Sequence, residues 1–423
     1  MRLGPHPGPH PGPRLGPRPL PLHLATEGWL LQMSFAGLMP GLEKSNSASL
    51  LSKPIRQLAA ERAHQNPETF TQDWQTGLDV GAFVQALTRE AKARMDRLLA
   101  GVNKYQTHSY QRTRTAPAPI WTQGSACLRD YGGPADGPAV VFVPSLINRA
   151  YILDLAEDRS LLAATAKAGL RTFLLDWGAP GQTERTYGVD DYINRIVIPA
   201  LAHVGTLTKS KPRLAGYCMG GTLTTAVAAL RPDLISGLAL LAAPWDFHAE
   251  SAASRNFLTM FRPIVEGMLA ASGEASVDFL QSLFASLDPT LVGRKFRGFE
   301  ARDMNTDAAR RFVELEDWLN DGIPLVEKVA RQCLFGWYGE NQTLNNSWRV
   351  DGHIIDPRKI SVPTLAVIPS HDRIVPPESA KALANLIPAC ARMTVELGHI
   401  GMMAGTSAPE LLYGPLAKWL KGF

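Results

Sequence analysis

Three residues far apart in the chain have side chains that together could do covalent chemistry: Cys218, Asp372 and His399. Cys218 is the middle of Gly216-Tyr217-Cys218-Met219-Gly220, a G-x-S-x-G elbow with sulfur in place of the hydroxyl. Such an elbow turns from strand to helix so sharply that the residues two places either side must be tiny, and both are glycine. The turn leaves the thiol at the carboxyl edge of a sheet, beside a helix N-terminus that favours a thiolate and later an oxyanion. The pentapeptide alone also fits a buried core cysteine between turn glycines. Asp372, in Ser370-His371-Asp372-Arg373-Ile374-Val375-Pro376-Pro377, also fits a turn former, with Asp356 as the alternative acid. His399, in Gly398-His399-Ile400, is one of ten histidines.

The elements that must position these residues alternate between strand and helix signals. Strands are expected at Pro138–Val143, Arg171–Trp177, Leu214–Tyr217, Ile235–Ala242, Pro363–Ile368 and Arg392–Leu397. Their uncharged, apolar runs suit parallel strands buried on both faces. Helices are expected at Leu161–Gly169, Tyr192–Thr206 and Ser379–Leu386, and from the elbow to Leu230. Cys218, Asp372 and His399 each follow one of these strands, in the order nucleophile, acid, histidine. That is the order of the α/β-hydrolase triad. The expected fold class is therefore α/β: an α/β-hydrolase fold with a mostly parallel sheet, a helical cap insertion and a helical amino-terminal region.

Between about residues 246 and 346 no strand is expected, only helical stretches such as Ala253–Leu269, Ser276–Ala285 and Ala308–Leu319. A helical insertion between sheet strands reads as a cap over the carboxyl edge, where ligands bind. Residues 1–20 hold seven prolines and four glycines and read as a disordered tail, His6 and His10 included. Residues 21–115 read as a helical amino-terminal region, and 116–423 as the catalytic domain with its cap. Trp29, Leu30, Leu31, Met33 and Phe35 give the segment after the tail either an amphipathic surface face or an ordinary packed helix. No signal peptide or membrane span is read there, because Glu27 and Gln32 break the apolar run.

The formal net charge of +4 gives no footprint for nucleic acid. Cys127, Cys218, Cys333 and Cys390 form no C-x-x-C pair and no metal-ligand spacing, which fits free thiols in a reducing cytoplasm. A thiolate attacking a thioester makes another thioester, a nearly isoenergetic exchange. Sulfur at the elbow therefore points toward acyl transfer from thioesters, with hydrolysis as the alternative.

Four segments together resemble the bacterial polyhydroxyalkanoate synthases. Gly216-Tyr217-Cys218-Met219-Gly220-Gly221 resembles their cysteine lipase box. Val143-Pro144-Ser145-Leu146-Ile147-Asn148, then Tyr151-Ile152-Leu153-Asp154-Leu155, resembles V-P-P-L-I-N-x-x-Y-I-L-D-L, with Ser145 departing from the family's proline. Asp176-Trp177-Gly178 with Asp190-Asp191-Tyr192-Ile193 resembles D-W-G…D-D-Y-I, and the acid and histidine loops resemble D-H-I-V-P and G-H-I. The resemblance implies an acyltransferase that joins (R)-3-hydroxyacyl units from CoA thioesters. Cys218 would carry the growing chain, His399 would activate the thiol and the incoming 3-hydroxyl, and Asp372 would orient or assist. It implies oxyanion donors at the backbone N–H of Met219 and of Leu146, structural roles for the other cysteines, and no metal or redox cofactor, CoA leaving as product. It implies a homodimer, a helper subunit, and a cytoplasmic location extending to the surface of polyester granules. A thioesterase or intracellular polyester depolymerase on the same fold, and a non-catalytic granule-surface protein, are the competing readings. Arg294, Lys295 and Arg297 read as a solvated charge run, with the phosphates of CoA as the alternative ligand.

Overall fold

The computed structural model describes residues 14–36, 80–249 and 252–423. The histidines of the tail, and residues 37–79 of the expected helical amino-terminal region, lie outside the described residues. The chain divides into two compact units. One is built from Gln111–Leu280 and Asp317–Phe423, the other from Pro11–Tyr110 and Gln281–Glu316.

The first unit carries an eight-stranded sheet: β1 (Pro119–Gln123), β2 (Ala126–Asp130), β3 (Ala139–Val143), β4 (Arg171–Asp176), β5 (Arg213–Tyr217), β6 (Gly237–Leu241), β7 (Thr364–Pro369) and β8 (Ala391–Val395). Their spatial order is β1-β2-β4-β3-β5-β6-β7-β8. The two pairings of β2 are antiparallel, and the remaining five pairings are parallel. Every residue of β3, β5, β6 and β7 is buried, as expected where helices cover both faces of a parallel sheet. The six strands read from sequence are present within a residue or two of their expected ends. The hairpin of β1 and β2 was not expected. The exposed residues of β1 and the mixed composition Ala-Cys-Leu-Arg-Asp of β2 carry no apolar run, and pairing to β4 rather than hydrophobicity makes them strands. A further correction concerns the insertion. Glu274–Ala275 pairs with Leu325–Val326, two-residue strands too short to leave a sequence period.

The helical unit packs Val80–Gln106 across Leu291–Glu300. Leu98, Val102 and Tyr105 bury against Phe296, Phe299 and Val313. These apolar contacts group Gln281–Glu316 with the amino-terminal helices, so the region read as one cap is shared between two units. The expected tail boundary also moves. Arg14 donates to the carbonyls of His108 and Tyr110, and Gln106 donates to that of Gly16 at 3.0 Å, which ties residues 14–20 into the helical unit. In the helix Leu20–Ala36 the buried side chains are polar ones, His23 and Glu27. Glu27 is 4% exposed against Arg297, whereas Trp29 is 52% exposed. Ion pairing outweighs hydropathy at that position. Among the described residues, no helix is long and apolar enough to cross a membrane.

The crossing depends on Gly101, where an added Cβ would come within 2.0 Å of the Phe296 carbonyl oxygen. Because that obstacle is backbone, Gly101→Ala is expected to lower stability by about 1–3 kcal/mol in urea unfolding. A loss under about 0.5 kcal/mol would mean that these helices do not cross so closely.

Candidate active site

Cys218 stands at the first turn after β5, with φ 56° and ψ −129°, followed directly by the helix Met219–Leu230. A side chain in this region of backbone space costs about 1–3 kcal/mol, so the surroundings must hold it there. They do so through backbone. The Cys218 N–H donates to Leu241 of β6 at 2.9 Å, and the Cys218 carbonyl accepts from Gly221 at 2.8 Å. A Cβ at Gly216 would meet Gly221 Cα at 2.6 Å, and one at Gly220 would meet the Val143 carbonyl oxygen at 2.1 Å. The small residues of the motif are thus required by neighbouring backbone on β3 and by the turn itself.

The parallel strands deliver the partners to the same edge. Asp372 follows β7 and His399 follows β8. His399 Nδ1 donates to Asp372 Oδ2 at 2.6 Å, while Asp372 Oδ1 accepts from the N–H groups of Ile374 and Val375, each at 2.8 Å. Both residues are buried, at 7% and 6% exposure. The backbone donors fix the carboxylate plane, and the carboxylate fixes the tautomer that leaves the other imidazole nitrogen for sulfur. The His399 imidazole is electrostatically coupled to the Cys218 side chain. Burial pulls the pKa of His399 down, but negative charge on Cys218 and the Asp372 hydrogen bond outweigh it and push it up to about 10. The arrangement therefore favours the charged imidazolium beside the sulfur. Asp356 is elsewhere engaged: it caps the turn Pro357–Lys359 and pairs with Arg358 at 2.8 Å.

At the remaining thiols burial disfavours the thiolate. Burial raises Cys127 to about 11, and it raises Cys333 and Cys390 as well.

Of the expected oxyanion donors, Met219 is the first residue of the elbow helix, where a backbone N–H has no intrahelical partner. Leu146 lies on the loop after β3, and the approach of Gly220 to Val143 and Pro144 brings the helix start against that loop. Sequence reasoning missed what holds the loop. Trp177, the aromatic of Asp-Trp-Gly, donates from its indole to the Pro144 carbonyl at 3.1 Å. Ser145 Oγ accepts from Ile147 N–H at 3.3 Å, closing a local turn around Leu146. Trp318 donates to the Arg149 carbonyl at 2.8 Å, and Ile323 N–H donates to Ile147 at 2.9 Å, strapping the insertion to the same loop. A narrow cleft of about 10 Å³ lies beside it, with Leu146, Trp177, Tyr192 and Ile323 among its walls.

Of the three cations Arg294 is solvated as expected, whereas Lys295 and Arg297 are largely covered, and none is an uncommitted phosphate ligand. Within the helical unit they pair with Asp288, Glu316 and Glu27 respectively.

A family model described as alpha/beta hydrolase fold matches residues 138–405, more than half of the chain. The chain belongs to the alpha/beta hydrolase fold family. Within that fold it is similar to poly(3-hydroxyalkanoate) polymerase subunits. The subunit PhaC of Haloferax mediterranei is 30% identical over 66% of this chain and 58% of its own length. That of Haloarcula marismortui is 29% identical over 66% of this chain and 60% of its own length. That of Allochromatium vinosum is 28% identical over 71% of this chain and 87% of its own length. The chain thus spans about six-tenths of the length of the two archaeal subunits and most of the bacterial one.

The coupling of His399 to Cys218 and to the Asp372 carboxylate sets a pH dependence. Its raised pKa stabilises the folded state fully below about 6.5, and that contribution is lost as pH rises through about 10. In Asp372→Asn one of the groups holding the proton is gone. Imidazole NMR is expected to find His399 charged at pH 8 in the parent and its titration midpoint moved to lower pH in the variant. Equal titration curves would mean that Asp372 does not govern His399.

Proposed function

We propose that the chain is a polyhydroxyalkanoate synthase-type acyltransferase that polymerises (R)-3-hydroxyacyl units from CoA thioesters through a covalent Cys218 thioester. The observation that carries the reading is the strained cysteine elbow, electrostatically coupled to a histidine that Asp372 buttresses, in a chain similar to polyester polymerases. The thiolate attacks the substrate thioester carbonyl, forming the Cys218–acyl bond as the bond to the CoA sulfur breaks. His399 returns its proton to the leaving thiolate, and CoA departs. The N–H groups of Met219 and Leu146 are the proposed oxyanion donors. In elongation His399 takes the proton of an incoming 3-hydroxyl as that oxygen attacks the acyl carbonyl, making an ester and freeing a thiol. Asp372 stabilises the imidazolium formed at that step. The chemistry uses no metal or redox cofactor.

The two steps place different demands on Asp372. A cysteine thiol with a pKa near 8.5 ionises with little help, whereas an alcohol is a far weaker acid. With 3-hydroxybutyryl-CoA the parent is expected to release CoA and form insoluble polyester. Cys218→Ala should release none while remaining folded. Asp372→Asn should still acquire label on Cys218 in a chemical quench, with polymer growth slowed about 100-fold or more. Free 3-hydroxybutyrate as the sole product would make the enzyme a thioesterase and sink the synthase reading.

A further inference from the structure

Tyr217 occupies the variable second position of the elbow motif, and its side chain reaches the histidine. Its ring stacks on the His399 imidazole, with centroids 5.1 Å apart and planes inclined by 28°. Its hydroxyl donates to the backbone carbonyl of the same residue at 3.0 Å. The tyrosine is 3% exposed. We propose that Tyr217 is a positioning residue for the general base, clamping the His399 ring and the His399 backbone at the distance from Cys218 that proton exchange requires.

Strand order explains why such a clamp is useful. The nucleophile follows β5 and the histidine follows β8, and β6 and β7 lie between them in the sheet. Without a direct tie, the sulfur–imidazole separation would depend on three successive strand pairings and on the loop from Val395 to His399. Tyr217 is covalently adjacent to Cys218, so its contacts refer the base directly to the nucleophile. Misplacement by about 1 Å can cost about 100-fold in reactivity, so a short tie has kinetic consequences. Burial, together with negative charge on Cys218 and Asp372, holds the phenol far above its ordinary pKa. It therefore stays a donor throughout the working pH range and does not itself titrate. The titratable groups facing His399 are Cys218, Asp372 and this phenol.

The inference rests on the reading of Cys218 and His399 as nucleophile and base, and not on the identity of the acyl substrate. It is tested by iodoacetamide alkylation of the whole protein, followed at the Cys218 peptide by mass spectrometry so that Cys390 does not contribute. At about pH 6.5 a thiolate held by an imidazolium should react faster in the parent than glutathione does. Near pH 9.5 most free thiols ionise unaided. Tyr217→Leu, which removes ring and hydroxyl, is expected to slow alkylation about tenfold at the lower pH and little at the higher. Tyr217→Phe, which keeps the ring, should restore most of the rate, leaving a deficit of about threefold confined to low pH. A folded leucine variant with the parent's profile, or one slowed equally at both pH values, would overturn the proposal. If the leucine variant does not fold, the phenylalanine variant decides: an unchanged profile overturns it, and a deficit confined to low pH supports it. A parent no faster than glutathione at pH 6.5 would remove the nucleophile–base reading and this inference with it.

Discussion

The backbone of Cys218, held at positive φ between β5 and its helix, is the constraint on which the site depends. No single side chain imposes it. The N–H is tied to β6, the carbonyl to the first helical turn, and Gly220 lies against the carbonyls that end β3. A strain of about 1–3 kcal/mol is small against the burial of four neighbouring strands whose every residue is inside. Because the strained residue is packed between β3 and β6, the thiol, the helix start and the Leu146 loop are placed by one packing arrangement. Relaxing the turn would disturb all three.

Electrostatics then divides the cysteines. Burial opposes the thiolate at Cys127, Cys333 and Cys390, and at Cys127 the nearby Asp176 carboxylate adds to it. At Cys218 the neighbouring imidazole is kept cationic by a carboxylate that two backbone N–H groups hold in place. The sheet, through the two loops after β7 and β8, thus selects which of four chemically identical side chains is equipped to react.

The loop after β3 is held by more ties than a solvent-exposed connection needs. Trp177 bonds its carbonyl side, Ser145 closes its tip, and Trp318 and Ile323 attach the insertion. Motifs that carry no reactive group, Asp-Trp-Gly among them, thereby gain a physical role in fixing a loop that faces the nucleophile's helix.

The sequence by itself determined the elbow, the order of its partners and the strands that carry them. Each depends on local rules: glycines where backbone must approach, apolar runs where both faces are covered, and a loop residue after each strand. It did not reveal β1 and β2, whose identity as strands comes from pairing with β4, nor the division of the insertion between two units. It read Lys295 and Arg297 with Arg294 as a solvated run, whereas those two are covered by carboxylates remote in sequence, Glu316 and Glu27. The contact of Tyr217 with His399 spans 182 residues, and nothing in a G-x-C-x-G pattern marks its second position as special. Such pairings are set by which surfaces meet in three dimensions, and a linear pattern holds no record of distances between residues that only folding makes neighbours.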